Sequence, residues 1–239
     1  MDIIEKEQLA FQEATRHWYY SSKFKLLNAQ LNVLPIEKTT ASIADIGCGS
    51  GLFLDMLAAA GWGDSHRSIG VDPARNINTT PAGIPMYSQI PDRKFDIVLL
   101  MDVLEHVPNP TEILAKAAQH CNAKGFVFIT VPALPWLWSG HDRFLGHYRR
   151  YTLKSLERTI TAVSSLTSIN SHYYFSFILP AVIPYRLVNK FKFKPVKSDL
   201  TPVQNPINRI LKKVCEFELK ITPKNKIIGL SAVALCQKK

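Results

Sequence analysis

The stretch SIADIGCGSG, residues 42–51, restricts the fold more than any other part of the chain. Apolar Ile43, Ala44 and Ile46 enclose Asp45, and Gly47, Gly49 and Gly51 then alternate ahead of LFLDMLAAAG. This order predicts a buried strand over 42–46, a tight glycine turn, and a helix over 51–60 closed by Gly61. With no β-carbons in the turn, a ligand can approach the backbone and the first N–H groups of the helix.

The spacing is G-x-G-x-G, with an acid two positions before the first glycine. Dinucleotide folds space their glycines G-x-G-x-x-G and seat a pyrophosphate on the helix N-terminus, where Asp45 would repel it. A ligand carrying an ammonium or a sulfonium would be attracted instead. Glycines alone also fit an ordinary strand-to-helix turn. A second acid, Asp72, ends the next apolar run, SIGVDP, 21 residues after Gly51. A carboxylate at the tip of a second strand is placed to accept both ribose hydroxyls of an adenosine. The glycine string resembles motif I of the class I S-adenosylmethionine methyltransferases, and Asp72 favours that reading over the dinucleotide one.

Further strands are expected over 67–71, near 84–87, over Phe95–Met101 and over 123–132, the last after Gly125 breaks a helix. The fourth is apolar except for Asp96, the pattern of a strand buried on both faces. Helix and strand alternate five times, which calls for an α/β, doubly wound parallel sheet. The string FDIVLLMDVLEHVPNP resembles the fourth-strand motif of the same family, and Asp102 to Val107 match the D-x-L-E-H-V string of ubiquinone-pathway O-methyltransferases. The resemblance implies a Rossmann-like, mostly parallel seven-stranded sheet, with KIIGLSAVALCQ returning antiparallel as an edge strand. It also implies that S-adenosyl-L-methionine is held by Asp45, Gly47, Cys48, Gly49, Gly51, Asp72, Pro73, Asp102 and Val103. Many relatives carry an acid after the third strand. Ser88, Gln89 and Ile90 stand there instead, so backbone groups and Ile90 are expected to hold the adenine.

Residues 1–36 read as a helical cap and 37–239 as the donor-binding domain. Trp18, Tyr19 and Tyr20 either pack the cap helix onto the domain or close the donor cleft. Their segment resembles the HWWF…RR opening of a group of small bacterial methyltransferases, with Lys23 and Lys25 where that group carries arginines.

The loop ALPWLWSGHDRFLGHYRRYT, residues 133–152, leaves the C-terminal end of the fifth strand with two Trp, two His, three Arg, two Tyr and one Asp. No amphipathic period explains it, and its place on the ligand-binding edge makes it the acceptor site. An ion-paired loop packed on the sheet is the alternative. Trp138, Arg149, Arg150 and Tyr151 are the expected acceptor-binding residues, the arginines meeting an acidic group. His106, His141 and His147 are the expected bases for a hydroxyl acceptor, with His141 next to Asp142 in sequence. The loop also resembles a bacterial methyltransferase subgroup linked to cell-envelope glycolipid and polysaccharide pathways. No metal is expected, because carboxylates and histidines do not cluster as ligands in the sequence.

Charge is uneven along the chain. Residues 1–182 carry sixteen basic and sixteen acidic side chains, whereas 183–239 carry thirteen basic and three acidic, so the whole net charge of +10 lies in the last quarter. Such a segment suits an anionic partner. The apolar span Tyr173–Tyr185 contains Pro180 and Pro184 and is too short to cross a bilayer. Followed by Arg186, Lys190, Lys192, Lys194 and Lys197, it reads as a membrane-surface segment or a lid over the pocket, within an insertion spanning 173–225. Nucleic acid is the weaker partner, since Phe191 and Phe193 are the only stacking aromatics among these lysines. Four distant cysteines and an acidic N-terminal stretch point to a cytoplasmic protein without disulfides or a secretory leader. The leading expectation is O-methylation of a lipid-associated or glycan hydroxyl, yielding S-adenosyl-L-homocysteine. A non-catalytic donor-binding module and an RNA methyltransferase are the alternatives.

Overall fold

The computed structural model describes residues 11–63, 66–74, 79–190 and 205–239. The expected elements in residues 1–10, the loop at 75–78 and the lysines of 191–204 lie outside these ranges. Helices α1 (Phe11–Arg16) and α2 (Trp18–Leu31) precede β1 (Ile43–Ile46), α3 (Leu52–Ala59) and β2 (Ile69–Val71). Then come β3 (Met86–Tyr87), β4 (Phe95–Met101), α4 (Pro110–Gln119) and β5 (Cys121–Pro132). After them follow α5 (Gly140–Phe144), α6 (Leu153–Thr161), β6 (Leu166–Tyr174), α7 (Leu179–Lys190), α8 (Asn205–Ile221) and β7 (Ser231–Lys238).

The seven strands lie in the order β3-β2-β1-β4-β5-β7-β6. β1 to β5 pair in parallel, and β7 runs antiparallel to both β5 and β6. The expectation of β7 at the sheet edge is therefore corrected: it sits inside the sheet, and β6 forms the edge. The burial of Ser231 to Cys236 follows from neighbours on both sides. Gly125 also differs from expectation. It lies within β5 rather than ending a helix, and a β-carbon there would stand 2.9 Å from the Asp96 carbonyl oxygen. Close strand approach, not helix termination, requires glycine at that point.

Period-two alternation divides the strands between two cores. Val98, Leu100, Val127 and Ile129 face a layer containing Leu114 of α4 and Leu156 of α6. Ile97, Leu99, Met101, Phe126 and Phe128 face the other layer, with Leu26, Leu27 and Leu31 of α2, Leu54 of α3 and Cys215 of α8. Helices covering both faces of a parallel sheet leave its C-terminal edge as the place for a ligand.

Candidate active site

The glycine turn forms because three successive odd positions take left-handed backbone: Gly47 and Gly51 at φ 75° and Gly49 at φ 56°. A β-carbon on Gly47 would meet Val103 Cγ2 at 2.7 Å, so the cradle also needs glycine for space. Asp72, at the tip of β2, accepts the Gly49 N–H at 2.8 Å and the Ala74 N–H at 3.0 Å. Behind the turn, Asp45 is buried, and among the described residues neither of its oxygens has a hydrogen-bond partner. Burial raises its pKa to about 7, with the Asp72 charge adding to the effect. A buried acid lacking a partner beside a β-carbon-free cradle fits a ligand with a cationic end.

Beyond this turn opens a cavity of about 450 Å³. Of the residues expected at the donor, Gly47, Asp72, Pro73, Asp102 and Val103 line it. Asp45, Cys48, Gly49, Gly51 and Ile90 do not reach its surface. Cys48 is buried against Gly70, and Ile90 packs on the core. Trp18, Tyr19 and Tyr20 wall the cavity from α2, with Phe175 stacked on Tyr19 at 5.5 Å between centroids.

Asp102 is more engaged than its sequence position reveals. It holds left-handed backbone at φ 56°, forms an ion pair with buried Lys23, and accepts from Tyr19 Oη at 3.2 Å and Thr130 Oγ1 at 3.0 Å. Burial works against its charge, but the Lys23 ammonium and the hydrogen bonds win and hold its pKa below the usual value. Lys25, by contrast, pairs with Glu216 at the surface.

The three expected histidines all line the cavity. The rings of His106 and His147 are 4.6 Å apart, and those of His141 and His147 6.4 Å. Asp142 holds His147 among them. It closes a capping box at the start of α5, its Oδ2 accepting from the Ser139 N–H at 2.9 Å and the Ser139 hydroxyl at 3.3 Å. Its Oδ1 meets His147 Nδ1 at 3.0 Å and Arg150 Nε at 2.6 Å. Burial alone would raise the Asp142 pKa, yet His147, Arg150 and the Ser139 amide hold it well below the carboxylate range. The partner of Asp142 is thus His147, five residues on, rather than adjacent His141. An ionised carboxylate can only accept, so His147 Nδ1 carries a proton, and in the neutral imidazole the lone pair lies on Nε2. His141 is held down to about 3, first by burial and then by the Arg186 charge, and stays neutral.

Of the expected acceptor residues, Arg150 lines the cavity while Trp138, Arg149 and Tyr151 do not. Arg149 turns away and donates to the Pro108 carbonyl at 2.8 Å. Tyr151 is a core residue whose hydroxyl donates to the Leu104 carbonyl at 3.1 Å. Two cavity residues lie outside the expected donor and acceptor sets. Glu105 is buried with Oε2 lacking a partner, and burial followed by the Asp102 charge raises its pKa well above normal. Arg186 reaches in from α7. Possible ligand atoms of Glu105, His106 and His147 lie within 4.8 Å of one another, which corrects the expectation that no acid and histidines gather.

Sheet order, glycine cradle and the acids flanking it define the S-adenosylmethionine-dependent methyltransferase class. Residues 15–164 match the family described as methyltransferase domain, and the chain belongs to that family. Among curated proteins it is similar to the ubiquinone biosynthesis O-methyltransferase of Photobacterium profundum, 27% identical over 136 residues that cover 49% of this chain and 57% of that protein. The chain thus matches little more than half the length of this relative. Among solved structures, a SAM-dependent methyltransferase from Archaeoglobus fulgidus shares the fold at TM-score 0.52 and 17% identity, over 96% of this chain and 99% of that one. So does the [4+2]-cyclase SpnF, at TM-score 0.56 and 14% identity over 92% and 81% of the two chains. Fold alone therefore does not select methyl transfer; the site must.

Proposed function

We propose that this chain methylates a hydroxyl oxygen on a lipid-associated or glycan acceptor. One observation carries the reading: His147 lines the cavity with its Nδ1 bonded to Asp142, which leaves Nε2 as the atom to take the proton of that hydroxyl. Bound S-adenosyl-L-methionine supplies a methyl group on a sulfonium. Asp72 would grip its ribose hydroxyls, and Asp45 would lie behind its ammonium. Trp18, Tyr19 and Tyr20 exclude water from the donor, and Arg150 keeps Asp142 ionised while His147 takes the proton.

A lipid acceptor is supported by the surface of α8. Ile207, Ile210, Phe217 and Ile221 stand 49–60% exposed at helical spacing, and half-exposed Phe177 packs on Phe217. The sequence placed membrane contact at 173–197, and residues 191–197 of that span are outside the described ranges. Among the described residues, no helix is long and apolar enough to cross a membrane. Labelled S-adenosylmethionine, incubated with the protein and separate cell lipid, glycan and RNA fractions, tests the reading. Label is expected in the lipid or glycan fraction. Transfer to RNA alone, or donor binding with no transfer, would defeat it.

Asp45 adds a pH-dependent prediction. Its folded pKa of about 7 lies above the ordinary 3.8, so the folded protein holds a proton that the unfolded chain has lost. Stability should therefore fall as pH rises from about 4 to 7. A cationic ligand at the turn favours the carboxylate. S-adenosylhomocysteine binding at about pH 6 is thus expected to release close to one proton, read by calorimetry in buffers of different ionisation enthalpy. Asp45→Asn should bind without that release.

A further inference from the structure

We propose that α8 docks this chain onto an anionic lipid bilayer, with an apolar stripe entering the interface and a row of cations on the headgroups. The proposal extends the lipid-associated reading above, on which its purpose rests, and names the partner and the residues that meet it. α8 lies outside residues 15–164, the part that matches the family.

The helix presents three rows of side chains. Ile207, Ile210, Phe217 and Ile221 are exposed, and at roughly 100° per residue they fall within an arc of about 80°. Arg209, Lys213 and Lys220, also exposed, occupy the arc beside it. The third row faces the protein. There Asn208 Oδ1 accepts from the Trp18 amide at 2.6 Å, Cys215 is fully buried, and Glu218 accepts from the Ser176 and Phe177 amides at 2.8 and 3.1 Å. The other acid of α8, Glu216, pairs with Lys25 of α2. Both acids of the helix are thus engaged with the protein, and the exposed charge beside the stripe is positive.

The stripe continues beyond the helix through Phe177, whose ring lies 6.1 Å from that of Phe217. The rest of the apolar span around it turns inward: Tyr174, Phe175, Ile178 and Leu179 are buried. The contact therefore belongs to α8 and Phe177 rather than to the span that the sequence singled out. Apolar side chains flanked by lysine and arginine suit a helix lying in a bilayer interface, where the long cationic stems reach phosphates while the rings and branches enter the acyl boundary. Charge complementarity selects anionic lipid. Antiparallel pairing of the stripe with a second copy about a two-fold would instead bring the two cationic rows together.

The test is flotation of the full chain with vesicles of phosphatidylcholine, alone or mixed with phosphatidylglycerol. Binding to the mixed vesicles is expected to be about tenfold or more tighter, and to weaken as salt is added. Two double variants, Lys213→Glu with Lys220→Glu and Ile210→Gln with Phe217→Gln, should each lower that affinity by about tenfold or more. All four positions are exposed, so melting temperature and S-adenosylhomocysteine affinity should stay unchanged. Lys213→Arg with Lys220→Arg should keep the binding. No preference for the mixed vesicles, or undiminished affinity in either double variant, would overturn the docking surface and leave methyl transfer untouched. So would a dimer, seen by sedimentation, that Ile210→Gln with Phe217→Gln dissociates, since the stripe would then belong to a second copy. Failure to bind S-adenosylhomocysteine would overturn the methyltransferase reading without touching vesicle binding.

Discussion

His147→Ala is expected to slow methyl transfer by roughly 10²–10⁴-fold, the range for a general base, while S-adenosylhomocysteine still binds. The geometry explains why the loss should concentrate on this histidine. His147 has its Nδ1 on Asp142, which fixes its tautomer and leaves Nε2 as its basic atom. His141 is neutral but, with a pKa of about 3, too weak a base to draw a proton from a hydroxyl near neutrality. His141→Ala should accordingly cost less. Asp142→Asn should approach the His147→Ala loss, because an amide can present N–H to the imidazole and reverse its tautomer. Asp142 also anchors the α5 capping box, so this variant must first show an unchanged melting temperature and donor affinity. The assay is turnover with whichever fraction accepts label. Full activity of His147→Ala would remove the base from this proposal.

Asp102→Ala should destabilise the ligand-free protein by about 3–5 kcal/mol, because it leaves the Lys23 ammonium buried without its counter-charge. Lys23 is 1% exposed, and besides Asp102 its contacts here are Thr130 Oγ1 at 3.3 Å and the Tyr19 ring at 5.0 Å. Neither supplies a negative charge. For a chain of this size the loss corresponds to a melting temperature lower by roughly 10 °C. Removing both charges, as Lys23→Met with Asp102→Ala, should recover most of it. Equal destabilisation in the single and double variants would show instead that the carboxylate matters through Tyr19 and Thr130. Measuring without ligand separates this effect from any role of Asp102 toward the donor.

Much of the donor side was readable from the chain because its constraints are local. Gly47, Gly49 and Gly51 announce left-handed backbone by their spacing, and Asp72 ends an apolar run that could only be a short buried strand. The rest of the cavity depends on distant pairings. Lys23 and Asp102 are 79 residues apart, and nothing in either neighbourhood names the other. Adjacency in sequence puts His141 next to Asp142. A one-turn helix instead directs the two side chains apart and returns the chain so that His147 arrives. Arg149 and Arg150 are neighbours with opposite fates, one bonded at the surface and one buried in the ion cluster. The interior place of β7 was missed for a similar reason. Alternation reports that a strand is buried, but not which strands lie beside it.

The β6–β7 pairing has a consequence for how such a chain can diversify. Tyr174 and Ser231 are partners in the ladder, so the excursion from 175 to 230, with α7 and α8, leaves and re-enters the sheet at adjacent points. A cassette with its feet side by side can be lengthened, trimmed or exchanged without shifting β1, β2 or the glycine cradle. The excursion reaches the cavity through Val182 and Arg186 and packs Phe175 on Tyr19, so exchanging it would remake one wall of the cleft while the parallel pairing of β1 and β2 stays as it is.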